Sequence, residues 1–181
     1  SQHERIVRVA EQLKGKLQIS GSLQSTNPET LRAIKRKNLP QDKHFELLKQ
    51  VDDQGMRSRV ELIFPLPNET KGTFLDGAKN LLKVNLGLFV PYTTMLLKGT
   101  ELASKESRAK YKLYSKYRVL PQQYGEYSGE KCFEIEEVCV ATNTVTYEEY
   151  LDVRGFAFLV GLFNGEQYDI ILVILFIFNI L

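Results

Sequence analysis

Three polar side chains in this sequence fall where an apolar run gives way to a helical pattern. Gln24 follows the run Leu17 to Leu23, Arg36 lies twelve positions further on, and Glu61 interrupts Val60, Leu62, Ile63 and Phe64. Twelve residues are about three turns of the intervening helical sequence. An amide that both donates and accepts, with a guanidinium suited to a carboxylate, makes a fitting pair for an amino-acid-like ligand. The plainer reading is a glutamine that stabilises a turn, and a basic segment Lys35-Arg36-Lys37 that suits a helix C-terminus. Spacing alone favours the plainer reading. Glu61 shifts the balance, because a carboxylate among apolar neighbours must be paired or face a polar cavity, unless it points to solvent at a sheet edge.

The elements that must position these groups are legible as periodicities. Ile6, Val9, Ala10 and Leu13 share one helical face over Glu4 to Leu13, and Gly15 ends that helix. Leu17 to Leu23 reads as a strand. Asn27 and Pro28 cap and open a short helix with Leu31 and Ile34 inward, and Glu29 favours its positive end. After Asn38-Leu39-Pro40, a helix over Gln41 to Gln54 buries Phe45, Leu48 and Val51 and stops at Gly55. Arg59 to Leu66 is the next strand, and Pro65 and Pro67 forbid its continuation before the turn Asn68-Glu69-Thr70. Thr70 caps a helix to about Val84 with Phe74, Ala78, Leu81 and Leu82 inward, and Leu86 to Met95 is a third strand. Strands separated by helices of crossover length spell β-α units with parallel strands, whose carboxyl ends bind ligands. Three strands cannot close a barrel, so the sheet is either small and open or the later part of a longer one. Beyond Gly99 the alternation stops. Glu101 to Tyr117 reads as loop and helix, Val119 to Tyr127 as extended chain, and Glu134 to Thr142 and Tyr147 to Phe163 as two further helices.

Composition sets limits. A chain of 181 residues, 43% hydrophobic and 25% charged, is that of an ordinary globular domain. A formal net charge of +2 gives no case for nucleic acid or an acidic membrane as partner. Cys132 and Cys139 fit neither a disulfide framework nor paired zinc spacing, which makes a reducing, cytoplasmic setting the expectation. The opening Ser-Gln-His-Glu carries no initiator methionine and no leader pattern, as if cut from something longer. The apolar run Ile170 to Phe178 is shorter than the roughly 20 residues a spanning helix needs, and reads as a buried segment rather than the start of an anchor. Lys110 to Arg118 interleaves cations with tyrosines, which suits bases and phosphates but better suits an amphipathic helix. His3 and His44 have no catalytic partners at recognisable spacing. Glu134, Glu136, Glu137, Glu148 and Glu149 read as solvated helix faces, and Asn164-Gly165-Glu166 as a turn.

Taken together, S-x-Q-S-x-x-x-x-x-L-x-x-I-x-R from Ser22 to Arg36 and E-L-I-x-x-L-P-x-E-T from Glu61 to Thr70 resemble the later strands of radical S-adenosylmethionine enzymes. The resemblance is nearest to the relatives of oxygen-independent coproporphyrinogen oxidases and to members with a cobalamin domain. It extends to Phe89 to Met95 and to Leu97-Lys-Gly-Thr-Glu-Leu102, which resemble the sixth strand and its tail. The resemblance implies a fold in which residues 1–102 are the later parallel strands of a (β/α) TIM-type barrel and residues 103–181 a helical extension. It implies cofactor contacts from Gln24 and Glu61 to the ribose or amino-acid end of S-adenosylmethionine, from Arg36 to its carboxylate, and from Ile63 to adenine. Tyr92, Thr93 and Thr94 then fall on the substrate side.

Two departures qualify the match. Pro65 and Asn68 replace the family's glycines on either side of Leu66-Pro67. The C-x-x-x-C-x-x-C loop, whose thiolates hold a 4Fe–4S cluster, is absent, and family order puts it upstream of Ser1. The expectation is that the complete enzyme, with the remainder of the barrel, binds the cluster and S-adenosylmethionine and generates a 5′-deoxyadenosyl radical. The fragment by itself has no such activity, and metal ligands are expected from none of its residues. Methyl transfer with cobalamin and simple hydrogen abstraction from a small-molecule substrate are not separated by these residues. The competing readings are a non-catalytic α/β binding or scaffold module, and a nucleic-acid module using the Tyr/Lys segment.

Overall fold

The computed structural model describes residues 19–38, 40–53, 58–83 and 88–163, with Val9 and Gln12 helical upstream of them. The rest of the expected Glu4 to Leu13 helix, its stop at Gly15, the Asn164 to Glu166 turn and the run Ile170 to Phe178 lie outside the described residues. In chain order the elements are β1 (Ile19–Gln24), α1 (Pro28–Ala33), α2 (Gln41–Asp53), β2 (Ser58–Phe64), α3 (Lys71–Lys83), β3 (Leu88–Thr93), α4 (Lys105–Tyr111), β4 (Tyr114–Tyr127), β5 (Glu130–Ala141) and α5 (Tyr147–Phe163). The protein is α/β, with a parallel three-stranded sheet in the order β1-β2-β3 and an antiparallel pair β4-β5.

Local chemistry accounts for the first half. The Asn27 side chain accepts the Glu29 N–H at 2.9 Å, and Pro28 opens α1 with its φ already helical. Along β2, Ser58, Val60, Leu62 and Phe64 are buried while Arg59, Glu61 and Ile63 are only partly covered, the period-two signature of a strand packed on one face. Of these, Val60, Leu62 and Phe64 meet Leu48 of α2, Phe74, Ala78 and Leu81 of α3, and Val153 and Val160 of α5 in one apolar core. Each of the Val, Leu and Phe side chains among them contributes about 1.5–3 kcal/mol on full burial. Helix α2 lies close on β1 because position 21 is glycine: a Cβ there would stand 2.6 Å from His44 Nε2 and 3.2 Å from Leu48 Cδ2. The other sheet face aligns Ser22 with Glu61 and Val90, and Ile63 with Tyr92.

The second half corrects the sequence reading. In place of a helix over Glu134 to Thr142 there is strand β5, and the helix expected through Tyr117 ends at Tyr111, where Lys112 takes a left-handed conformation (φ 50°). The extension is therefore half hairpin rather than all helical. Val119, Ile135, Val138 and Val140 are β-branched and sit well on a pleated surface, and Ser128 and Gly129 both adopt positive φ (52° and 84°) in the two-residue turn, the geometry that matches strand twist. The base of the hairpin joins the body, with Leu96 N–H bonded to Glu137 O and Cys139 N–H to Thr94 O, each at 2.9 Å. Further out, Tyr117, Val119, Tyr124, Phe133 and Ile135 share one face by pairing register and are 59–74% exposed. Among the described residues no helix is long and apolar enough to cross a membrane.

Candidate ligand cleft

A broad cleft of about 1770 Å³ opens at the carboxyl ends of the three parallel strands. Gln24, Ile63, Tyr92, Thr93 and Thr94 line it from the sheet, Arg32 and Lys35 from the α1 segment, Lys110 and Tyr111 from α4, and Arg118, Leu120 and Glu136 from the hairpin. Parallel α/β sheets bind ligands at this edge because the strand exits deliver side chains and backbone groups there. The charges around it largely cancel. Lys35 Nζ lies 2.6 Å from Glu101 Oε1 across the rim, Arg32 lies 3.7 Å from Glu29, and Arg118 pairs with Glu136. Hydrogen bonding to Glu101 raises the Lys35 pKa, yet both side chains are largely exposed, and such a pair adds little to stability. Lys110 instead lies over the Tyr111 ring, 4.8 Å from its centroid. A cleft balanced in this way suits a neutral or zwitterionic ligand better than a polyanion.

Two strand exits form the cleft's inner rim, and both bend through left-handed residues: Gln24 has φ 62° and Asn68 φ 61°. Asn68 therefore supplies the conformation that glycine would adopt freely, and asparagine is among the residues that tolerate it. The exits are tied together. Asn38 Nδ2 donates to Leu23 O at 2.9 Å and to Ser25 O at 3.0 Å, and Asn27 Nδ2 donates to Asn68 O at 3.3 Å. Glu69, only 1% exposed, accepts hydrogen bonds from the hydroxyls of Ser25 and Thr73, and its carbonyl accepts from Thr144 Oγ1 at 2.5 Å.

Of the residues predicted from sequence, the structure brings Gln24, Ile63, Tyr92, Thr93 and Thr94 to this cleft. Tyr92 is exposed, with the Arg59 guanidinium 5.5 Å from its ring centroid. Thr93 is buried and its hydroxyl accepts from Arg154 of α5 at 3.4 Å. Thr94 is committed to the neighbouring loop, its hydroxyl donating to Pro65 O at 2.6 Å and its N–H to Phe64 O at 3.0 Å. Arg36 and Glu61 are not among the cleft's lining. Arg36 donates from Nη2 to Ser22 O at 2.5 Å and from Nε to Asn38 Oδ1 at 3.2 Å. Glu61 lies on the partly covered sheet face, its Oε1 2.9 Å from Arg59 Nε. Sequence reasoning missed Glu69 and Asn38 as organisers of the rim. An acid three residues past Leu66, between a proline-stiffened exit and a helix start, was the available signal for Glu69.

No family model matches the chain. It is 32% identical over 151 residues to 2-(S-pantetheinyl)-carbapenam-3-carboxylate methyltransferase of Streptantibioticus cattleyicolor, covering 81% of this chain and 22% of that protein. It is 31% identical over 142 residues to the cobalamin-dependent radical SAM methyltransferase TokK of Streptomyces tokunonensis, covering 76% of this chain and 20% of that protein. These similarities are consistent with the radical SAM and cobalamin family. The chain matches about a fifth of the length of these curated relatives.

The donor set here does not fit an iron–sulfur cluster. Cys132 is exposed and Cys139 buried, and among the described residues no three His, Cys, Asp or Glu side chains group to hold a metal ion. Burial raises the Cys139 pKa to about 11, which opposes formation of the thiolate that metal ligation needs.

Proposed function

We propose that this chain forms the later strands of a radical SAM methyltransferase barrel and that its cleft receives the nucleoside part of S-adenosylmethionine. The observation that carries the proposal is that Gln24 and Ile63, from adjacent parallel strands, line one cleft at the strands' carboxyl ends. The methyltransferase names of both relatives support the reaction class, and the name of TokK supports cobalamin as a further cofactor of the complete protein.

In this reading the Gln24 amide donates and accepts at the ribose or amino-acid end, and Ile63 supplies an apolar wall to adenine. Arg36 and Glu61, held by Ser22 O and Arg59 and absent from the cleft's lining, are given no ligand contact in this reading. Further parallel strands along β1 complete the barrel, and their cover falls on the face carrying Ser22, Glu61, Ile63 and Tyr92. That face is polar at its centre, which suits a ligand-lined interior better than a second apolar layer. No step runs through a cluster, because these residues do not fit one.

Titration calorimetry of the chain with S-adenosylhomocysteine tests the reading. Binding is expected, weakened about tenfold by Gln24→Ala for one lost hydrogen bond and weakened again by Ile63→Ser. Absence of binding at millimolar ligand, or binding indifferent to both substitutions, overturns it.

A further inference from the structure

We infer that Glu69 is a positioning residue: its buried carboxylate holds the exit of β1, and with it Gln24, in the conformation that meets the ligand. For its ligand the inference rests on the cofactor reading above. A carboxylate that is 1% exposed is costly to bury unless its oxygens are satisfied. Among the described residues no cation pairs with Glu69, and its two oxygens are taken instead by the hydroxyls of Ser25 and Thr73.

The two hydroxyls lie on different elements. Ser25 immediately follows Gln24, and its Oγ also accepts the Asn27 N–H at 3.0 Å, so its proton is directed to Glu69. Thr73 belongs to the first turn of α3. The Glu69 backbone adds two more ties, donating to Leu66 O at 3.1 Å and accepting from Thr144. One residue therefore registers the exits of β1 and β2 against the start of α3 and the loop before α5. Gln24 sits in a left-handed conformation one position from Ser25, a conformation unfavourable for its side chain unless the surroundings enforce it. The Ser25–Glu69 bond supplies part of that enforcement.

Peptide-resolved hydrogen exchange on the whole chain separates this role from general stability. Ser25→Ala and Glu69→Ala are expected to speed exchange across Gln24 to Asn27 about tenfold, the effect of one lost hydrogen bond, and to weaken S-adenosylhomocysteine binding by a similar factor. Glu69→Gln, which keeps the shape and one carbonyl acceptor, restores most of both. Thr73→Ala lowers the unfolding midpoint while leaving the Gln24 to Asn27 exchange near that of the parent. Should Glu69→Ala fail to fold, the milder Ser25→Ala decides through the Gln24 to Thr26 amides, the Asn27 N–H being set aside because that variant removes its own acceptor. Unchanged exchange in Ser25→Ala, or an equal effect from Thr73→Ala, overturns the inference. A parent chain that binds no ligand refutes the cofactor reading alone, since the exchange data still decide whether Glu69 sets the β1 exit.

Discussion

Arg108 grips Glu137 through both carboxylate oxygens, Nη1 to Oε1 at 2.7 Å and Nη2 to Oε2 at 2.9 Å. Ser115 donates to the same carboxylate at 2.5 Å, and Arg108 Nε donates to Ala103 O at 3.0 Å. The fork fixes α4 to the base of the hairpin, and both elements supply walls of the cleft. A bidentate guanidinium–carboxylate pair is stronger and more directional than a lysine contact.

Replacing Arg108 or Glu137 is therefore expected to loosen the hairpin. In a double-mutant cycle of Arg108→Ala and Glu137→Gln, urea unfolding should give a coupling of about 1–2 kcal/mol, a value reduced by partial solvent exposure of the pair. Hydrogen bonds from Arg108 and then Ser115 hold the Glu137 carboxyl below its ordinary pKa of 4.5. Its contribution is fully present above that ordinary value and is lost as pH falls towards the depressed one. Glu137→Gln should lack that part of the acid sensitivity.

His44 gives a second pH effect, in a higher window. Burial chiefly, opposed by the nearby Gly21 backbone and assisted by the Arg36 charge, lowers its pKa from 6.5. The folded chain thus resists protonation that the unfolded chain accepts, so stability is whole above pH 6.5 and declines as pH falls below it. Urea midpoints at pH 7.5 and 5.5 should differ more for the parent than for His44→Gln. Equal differences would assign the dependence to other groups.

The two cysteines should behave oppositely towards alkylation. Cys132 is exposed, whereas Cys139 is buried with its pKa raised to about 11. Native chain treated with iodoacetamide at pH 8 should carry one adduct by mass spectrometry, at Cys132, and two only after denaturation. Rapid labelling of Cys139 in the native state would show that the base of the hairpin opens.

The β-α half was legible because its signals are local and mutually consistent. Asn27-Pro28, Pro40, Thr70 and the apolar spacing of α2 and α3 each mark a boundary to within a few residues. The hairpin was not, because Tyr111, Tyr114 and Tyr117 fall at a helical spacing that Lys112 breaks by its backbone conformation alone. Ile135, Val138 and Cys139 likewise imitate one helical face, while the contrary signals, β-branched residues and the Ser128-Gly129 turn, are each weak by themselves. At the cleft, Gln24 could be read from its place at a strand end, and Ile63 only through the family resemblance. The partners of Arg36 and Glu61 could not, because nothing in the sequence says that Arg36 turns back to Ser22 O across the β1 exit, or that Glu61 pairs with Arg59 two places along its own strand rather than with a group in the cleft.

The hairpin gives a single ribbon two independent vocabularies. Arg118, Leu120 and Glu136 address the cleft, while Tyr117, Val119 and Ile135 stand outside its lining. Because neighbours along a strand point to opposite sides, drift in one set leaves the other unaltered, and ligand preference can diverge among descendants without disturbing the aromatic exterior. Insertion of a single residue ahead of Tyr117 would exchange the two roles at a stroke, so this ribbon should tolerate substitution far better than it tolerates a change of length.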